Sequence, residues 1–289
     1  MQSPIQRVGI VTKPQLGTHS KVLRDLMAWF ADRNIEVLLD HESAANLGDA
    51  TGSIDRLDLP SQCDLVVLLG GDGTFLSLAR AVGSENVIIL PVNFGSLGFL
   101  TEITLEETFG MLDIILQGKA RTQKRMMIEV AVVRAHICHA SFRALNDAVV
   151  TKGTLARIID IDVRIDRKFV ATYKADGLIV STPTGSTAYA LSAGGPILFP
   201  TLDAMLVTPI CSHTLTFRSL VVPDTVEVEL SLQAIKEPVY LTVDGQIGLE
   251  LEPSDILRVR KSPATITIVE SENKNFFDIL RNKLKWGER

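Results

Sequence analysis

Asp64-Leu65-Val66-Val67-Leu68-Leu69-Gly70-Gly71-Asp72-Gly73-Thr74-Phe75 is a run of apolar residues that ends in a glycine turn carrying one carboxylate. The apolar run reads as a strand buried on both faces, as in a parallel sheet. Glycines at 70, 71 and 73 are expected to let the backbone take positive φ and let a ligand approach the chain closely. A helix is expected from Thr74 to Val82, and free amides at such a helix start favour phosphate. Gly70, Gly71, Gly73 and Thr74 are therefore the candidate phosphate-binding residues. An acid beside a polyanion needs a task, such as taking the proton of an attacking hydroxyl, which makes Asp72 the candidate catalytic residue. The plain alternative is a tight turn with an Asx hydrogen bond. A second strand, Val87 to Val92, enters another glycine-punctuated loop, Asn93-Phe94-Gly95-Ser96-Leu97-Gly98-Phe99-Leu100-Thr101, at the same sheet edge. Farther on, residues 176–196 pack hydroxyls and glycines at a density that no core strand needs, and they read as a ligand wall.

The rhythm of the chain changes near residue 120. Before it, apolar strands at Val8 to Val11, Ile35 to Leu39 and 64–69 alternate with helical patterns, the first from about Lys21 with Leu23, Leu26, Met27 and Phe30 on one face. A helix over Leu105 to Gln117 closes this part. After it the period becomes two: Ile159, Ile161, Val163 and Ile165 alternate with Asp160, Asp162, Arg164 and Asp166. Further strands are expected at Val226 to Leu230, Val239 to Val243 and Ala264 to Ile268. The fold class is α/β: an N-terminal Rossmann-like parallel-sheet domain over 1–119 for nucleotide, a C-terminal β-rich, sandwich-like domain over 120–268, and a helical tail over 269–289.

The 289 residues, 46% hydrophobic and 22% charged, suit a globular two-domain chain. A net charge of -5 argues against nucleic acid and anionic membranes as partners, since both select a basic surface. No run approaches the roughly 18 apolar residues of a membrane span, and Met1 to Arg7 has no apolar signal core, so a cytoplasmic protein is expected. Cys63, Cys138 and Cys211 are widely spaced and odd in number, which indicates neither a disulfide framework nor a zinc site. His136-Ile137-Cys138-His139 resembles a metal cluster, but alternation on a strand would send His136 and Cys138 to one face and His139 to the other. His213 is read as structural, and no nucleophile elbow is present.

The glycine turn at 70–73, Asn146-Asp147, Thr182-Pro183-Thr184-Gly185-Ser186-Thr187-Ala188-Tyr189 and Val243-Asp244-Gly245-Gln246 occur in an order and rough spacing similar to the NAD kinase family. Such enzymes phosphorylate the adenosine ribose 2′-hydroxyl of NAD with ATP to give NADP. The glycine turn alone is shared with diacylglycerol, sphingosine and phosphofructokinase relatives; the later motifs narrow the resemblance. One position departs: the family usually has Glu where this chain has Asp147. The resemblance implies that Asp72 is the general base, and that Gly73 belongs to the substrate site. Asn146 and Asp147 would hold adenine and ribose, Thr187, Ala188, Tyr189, Ala190, Leu191 and Ser192 would line the adenosine pocket, and Lys174 with Asp176 would meet the nicotinamide half. Arg157 flanks that wall, and Gln246 would sit at a pocket rim or a neighbouring subunit. It further implies Mg²⁺ or another divalent cation carried with ATP, no metal site made by the chain itself, and a homodimer or homotetramer. Two rivals are a lipid or sugar kinase of the same superfamily and a dinucleotide sensor that has lost turnover.

Overall fold

The computed structural model describes residues 5–15, 17, 20–48, 51–83, 87–95, 97–153, 157–214, 216–233 and 237–287. Residues 1–4, read above as lacking a signal core, and Ser96 of the second glycine loop lie outside these. By its contacts the chain divides into two units, 1–124 with 264–289, and 125–263.

In the first unit, β1 (Arg7–Thr12), β2 (Glu36–Leu39), β3 (Leu65–Leu69) and β4 (Ile88–Asn93) form a parallel sheet in the order β2-β1-β3-β4. Every residue of β3 is buried, which is why it reads as an unbroken apolar run. Helix α1 (Ser20–Ala31) buries Leu23, Leu26 and Phe30 against Val8, Ile10, Leu65 and Val67. Helix α2 (His41–Leu47) is capped by Asp40, whose carboxylate accepts the Ser43 N–H at 2.8 Å, and it ends on Gly48 at φ 85°. Helix α3 spans Asp72–Ala79, two residues earlier at its start than expected and three shorter at its end. The Thr74 and Phe75 N–H groups both donate to Gly71 O, at 3.0 and 3.1 Å, so Gly71 rather than Thr74 caps the helix. A short β5 (Ile103–Thr104) pairs with β4, and α4 (Thr108–Leu116) follows.

The second unit opens within β6 (Thr122–Arg134), which forms a hairpin with β7 (Ile137–Ala144). Its turn residues Ala135 and His136 take φ of 47° and 65°. His136 is thus in a tight turn, not on a strand as expected, so the alternation applied to it does not hold. Then come β8 (Asp147–Lys152), β9 (Ile159–Ile165), β10 (Lys168–Ala175), β11 (Gly177–Ser181), the one-turn α5 (Tyr189–Ser192), β12 (Ala204–Ile210), β13 (Leu220–Pro223), β14 (Val228–Gln233), β15 (Val239–Val243), β16 (Ile247–Leu251) and β17 (Ile256–Val269). One antiparallel sheet has the order β13-β12-β11-β8-β15-β16; the other carries β10-β9-β14-β17. Val150, Leu178, Val207 and Leu241 from the first and Ile161, Val163, Leu230 and Val259 from the second share one core, which makes a sandwich.

The last residues of β17 return to the first unit, where Thr267 and Ile268 pair in parallel with Ile88 and Ile89. Helix α6 (Phe276–Leu284) follows, with Asn275 and Asp278 forming a capping box. The tail, expected as a segment apart, is counted with the first unit because this strand ties it there.

Candidate active site

In the first unit the glycine turn follows β3 directly. Gly70 donates its N–H to Val92 O at 2.9 Å, and a Cβ on Gly70 would lie 2.6 Å from Thr74 Oγ1. The Gly70 and Thr74 amides are therefore engaged within the protein, and the expectation that they face a phosphate is corrected on that point. The carboxylate of Asp72 turns to the second glycine loop. It accepts the Phe99 N–H at 3.0 Å, the Leu100 N–H at 3.1 Å and the Thr101 hydroxyl at 3.2 Å. Asn93 steadies the same loop: its amide donates to Thr101 Oγ1 at 3.1 Å and its carbonyl accepts the Gly95 N–H at 2.7 Å. A Cβ on Gly98 would meet Asp72 Oδ1 at 2.1 Å, so only glycine fits there. A carboxylate offers about four lone-pair sites, and three donors leave about one for a substrate hydroxyl. Gly98 and Thr101 were not picked out by sequence; the signal was the glycine loop ending at the same sheet edge.

In the second unit the organising residue is Asp244, in the β15–β16 turn. Its buried carboxylate accepts the N–H groups of Leu145 (3.0 Å), Asn146 (2.7 Å) and Asp147 (3.1 Å). From the other side, Thr182 donates its hydroxyl to Leu145 O at 2.5 Å and accepts the Gly185 N–H at 3.1 Å. A Cβ on Gly185 would stand 2.1 Å from Asn146 O. The Asn146-Asp147 corner is thus pinned by two distant segments. It opens on a pocket of about 390 Å³ lined by Asn146, by Asp147, Val149 and Thr151 of β8, by Ala188 and Tyr189 at the start of α5, and by Thr242, Asp244 and Gly245 at the end of β15 and in the turn after it. Asp147 is 4% exposed. Burial first, and the Asp244 carboxylate second, push its carboxyl up from the ordinary 3.8 to about 7.

Of the wall residues, Ala188 and Tyr189 line this pocket, and Tyr189 stays 45% exposed. Thr187 donates its hydroxyl to Thr184 O at 3.1 Å. Ala190 is fully buried with Val149, Ile179 and Leu206, so the structure gives it a packing role where a substrate contact was expected. Leu191 is half-buried and Ser192 exposed on the same turn. Lys174 and Asp176 are not each other's partners: Lys174 lies 4.0 Å from Asp160, and Asp176 pairs with Lys152 at 3.0 Å. Arg157 is exposed and donates its backbone N–H to Glu237 at 2.8 Å. Gln246 is exposed in the turn after Asp244, its N–H on Val243 O at 3.0 Å. These four lie outside the lining of the pocket. Asp244, Thr151 and Thr242 line it without having been singled out as contacts. The Asp-Gly pair of the hairpin turn was the available signal.

A Rossmann-like unit with an acid in a glycine turn at the C-terminal edge of its strands, and a β-sandwich unit with a pocket of its own, are the two parts expected of a nucleotide-using phosphotransferase. Family models for the ATP-NAD kinase N-terminal domain and C-terminal domain match residues 8–120 and 145–271. An NAD kinase of Solibacter usitatus is 46% identical over 99% of this chain and 99% of its own, and one of Syntrophotalea carbinolica is 45% identical over 99% and 100%. Among solved structures, yeast NADH kinase complexed with NADH has a TM-score of 0.88 at 27% identity, covering 100% of this chain and 90% of the other. An NAD kinase from Archaeoglobus fulgidus in complex with ATP shares the fold, with a TM-score of 0.76 at 22% identity over 97% and 100%. The chain belongs to the NAD kinase family.

Proposed function

We propose that this chain transfers the terminal phosphoryl group of ATP to the 2′-hydroxyl of the adenosine ribose of NAD, with Asp72 as the general base. The 2′-oxygen forms a bond to the γ-phosphorus as the bond to the β–γ bridging oxygen breaks. ADP leaves, and the hydroxyl proton passes to Asp72. The observation that carries the assignment is the cage of Phe99, Leu100 and Thr101, which fixes the carboxylate and leaves it room for about one more partner. Gly71 and Gly73 flank the acid and leave space at the turn, since a Cβ on either would meet nothing within 4 Å.

In the pocket of the second unit, Asn146 and Asp147 take the adenine and ribose, and Ala188 and Tyr189 form its wall. Thr187, Leu191 and Ser192 border that wall, Lys174 and Asp176 meet the nicotinamide half, Arg157 contacts the dinucleotide beside them, and Gln246 sits at the pocket rim or a neighbouring subunit. We assign the divalent cation, Mg²⁺ or another, to the triphosphate, on which it would enter. Such a cation would neutralise charge on the transferred group. Among the described residues no helix is long and apolar enough to cross a membrane. We place the protein in the cytoplasm as a homodimer or homotetramer, with NAD and ATP as its small-molecule partners. The test is direct: purified protein with Mg-ATP and NAD should yield NADP, read with an NADP-specific dehydrogenase. Absence of NADP while ATP binds would overturn the reading.

A further inference from the structure

The ammonium group of Lys13 stands 5.7 Å from the centroid of the Phe94 ring, within cation–π range. Lys13 directly follows β1 and Phe94 directly follows β4, and β3 lies between those two strands. The rung at this end runs Thr12, Leu69, Val92. Lys13 N–H donates to Leu69 O at 3.0 Å, and Gly70 N–H to Val92 O at 2.9 Å. The lysine therefore spans the end of β3 where the strand becomes the Gly70-Gly71-Asp72 turn. Its base is fixed, because the Asn46 amide holds both Thr12 Oγ1 (2.9 Å) and Lys13 O (3.1 Å).

Lys13 is half-buried, and among the described residues it makes no ion pair. Asp40 and Glu42, acids of the helix that follows β2, are both taken by Arg56. A cation held on an aromatic face, at the ligand-binding end of a parallel sheet and without an acid of its own, is matched to an anion that arrives from outside. The chain's net charge of -5 means that any polyanion must be held by such local cations.

Resting on the phosphoryl-transfer reading above, we infer that Lys13 binds the triphosphate of the donor at the glycine turn. Its ammonium meets the terminal phosphate oxygens, and Phe94 is the platform that holds it over the turn. Its charge then counters the negative charge on the oxygens of the transferred group, the part that a positioned lysine plays as a point charge on phosphate.

Lys13→Met keeps the side-chain stem on Phe94 and removes the charge, whereas Lys13→Arg keeps the charge. Tripolyphosphate and AMP are each titrated as competitors of a fluorescent ATP analogue without NAD, and steady-state rates are measured with Mg-ATP and NAD. In Lys13→Met the tripolyphosphate Kd and the ATP KM should rise about tenfold or more, the size of a lost charge-assisted hydrogen bond. AMP affinity, NAD KM and the thermal midpoint should stay within twofold or a degree or so of wild type, and Lys13→Arg should recover most of the loss. Should Lys13→Met fail to fold, Lys13→Gln enters the same comparison. Unchanged tripolyphosphate binding, or an equal loss for AMP, overturns the inference. If the wild type makes no NADP while tripolyphosphate binding still depends on Lys13, the acceptor assignment fails and the triphosphate contact stands.

Discussion

Replacing Asp72 by Asn exchanges one acceptor oxygen for an NH₂ group, and the N–H donors of Phe99 and Leu100 occupy opposite oxygens of the carboxylate. Whichever way the amide turns, one backbone N–H loses its acceptor, at about 1–3 kcal/mol for a desolvated donor. The variant should therefore lose turnover at least about a hundredfold, as for a missing general base, together with a modest fall in thermal midpoint. Near wild-type turnover would remove Asp72 from the chemistry. Asp147 makes a second prediction at this scale. Its carboxyl is raised from 3.8 to about 7 in the folded chain. Between those values the folded state holds a proton that the unfolded state has lost, so stability falls as pH rises from about 4 to about 7 and is flat above. Asp147→Asn stays neutral throughout, and should flatten that part of the stability-versus-pH curve and be the more stable protein at pH 8. A protonated Asp147 can donate to a ribose oxygen, whereas the carboxylate can only accept. The wild-type NAD KM should accordingly change between pH 6 and 8, and that of Asp147→Asn should not. Parallel pH profiles for the two proteins would show that Asp147 does not titrate there. The acids at 72 and 147 were legible in the sequence, because glycine spacing and motif order mark them. The partner of Asp147 was not: Asp244 reaches it from 97 residues away.

At the level of elements, the Asp72 turn of the first unit and the Asn146-Asp147 corner of the second are each built by one segment clamping another. The loop at 97–101 clamps the start of α3, and the tolerance is steric: a Cβ at Gly98 would come within 2.1 Å of Asp72 Oδ1 and 2.4 Å of Thr101 Oγ1. Gly98→Ala should push the carboxylate out of its cage and lower turnover more than tenfold. The pocket at Asn146, built from other strands, should bind NAD as before. Equal losses in turnover and in NAD affinity would mean that the loop does more than hold Asp72. In the second unit the β15–β16 turn does the clamping through Asp244. Asp244→Asn removes one acceptor from three backbone donors, so it should weaken NAD binding several-fold while leaving ATP KM near wild type; the reverse pattern would refute its positioning role. Helix and strand types followed from periodicity, but the start of α3 did not. Thr74 has the residue type of a cap, yet Gly71 O receives the first helical bonds, so backbone geometry decided where side-chain preference pointed elsewhere. The hairpin at Ala135-His136 escaped for a similar reason: the pair lacks the Asn-Gly or Asp-Gly signature of such turns, yet both residues adopt positive φ.

Across the whole molecule, the division into a parallel α/β unit and a β-sandwich unit was legible, since the apolar period changes from 3.6 with buried runs to 2. The length of β17 was not. Its 14 residues begin among Arg258, Arg260 and Lys261 and pass Ser262 and Pro263 before the apolar Ile266 and Ile268, so only the second half read as a strand. That strand is what assigns residues 264–289 to the first unit. On the proposed reading, the pocket of the second unit sets the acceptor. Its lining sets the polar groups of Asn146, Asp147, Thr151, Thr242 and Asp244 among Val149, Ala188 and Tyr189 in about 390 Å³, a mixed apolar and polar lining suited to a nucleoside. Buried polar groups discriminate strongly, because an acceptor that cannot pair with them leaves them unsatisfied. NAD should therefore be phosphorylated, while diacylglycerol, sphingosine and fructose 6-phosphate should show kcat/KM at least about a hundredfold lower. A 2′-deoxyadenosine analogue of NAD should bind and yield no phosphorylated product, since it keeps most of the contacts and lacks the attacking oxygen. Labelled ATP followed by separation of the products reads all five acceptors in one format. Comparable turnover of a lipid or sugar would assign the chain to the wider kinase superfamily with a different alcohol, and label on the deoxy analogue would move the acceptor oxygen away from the 2′ position.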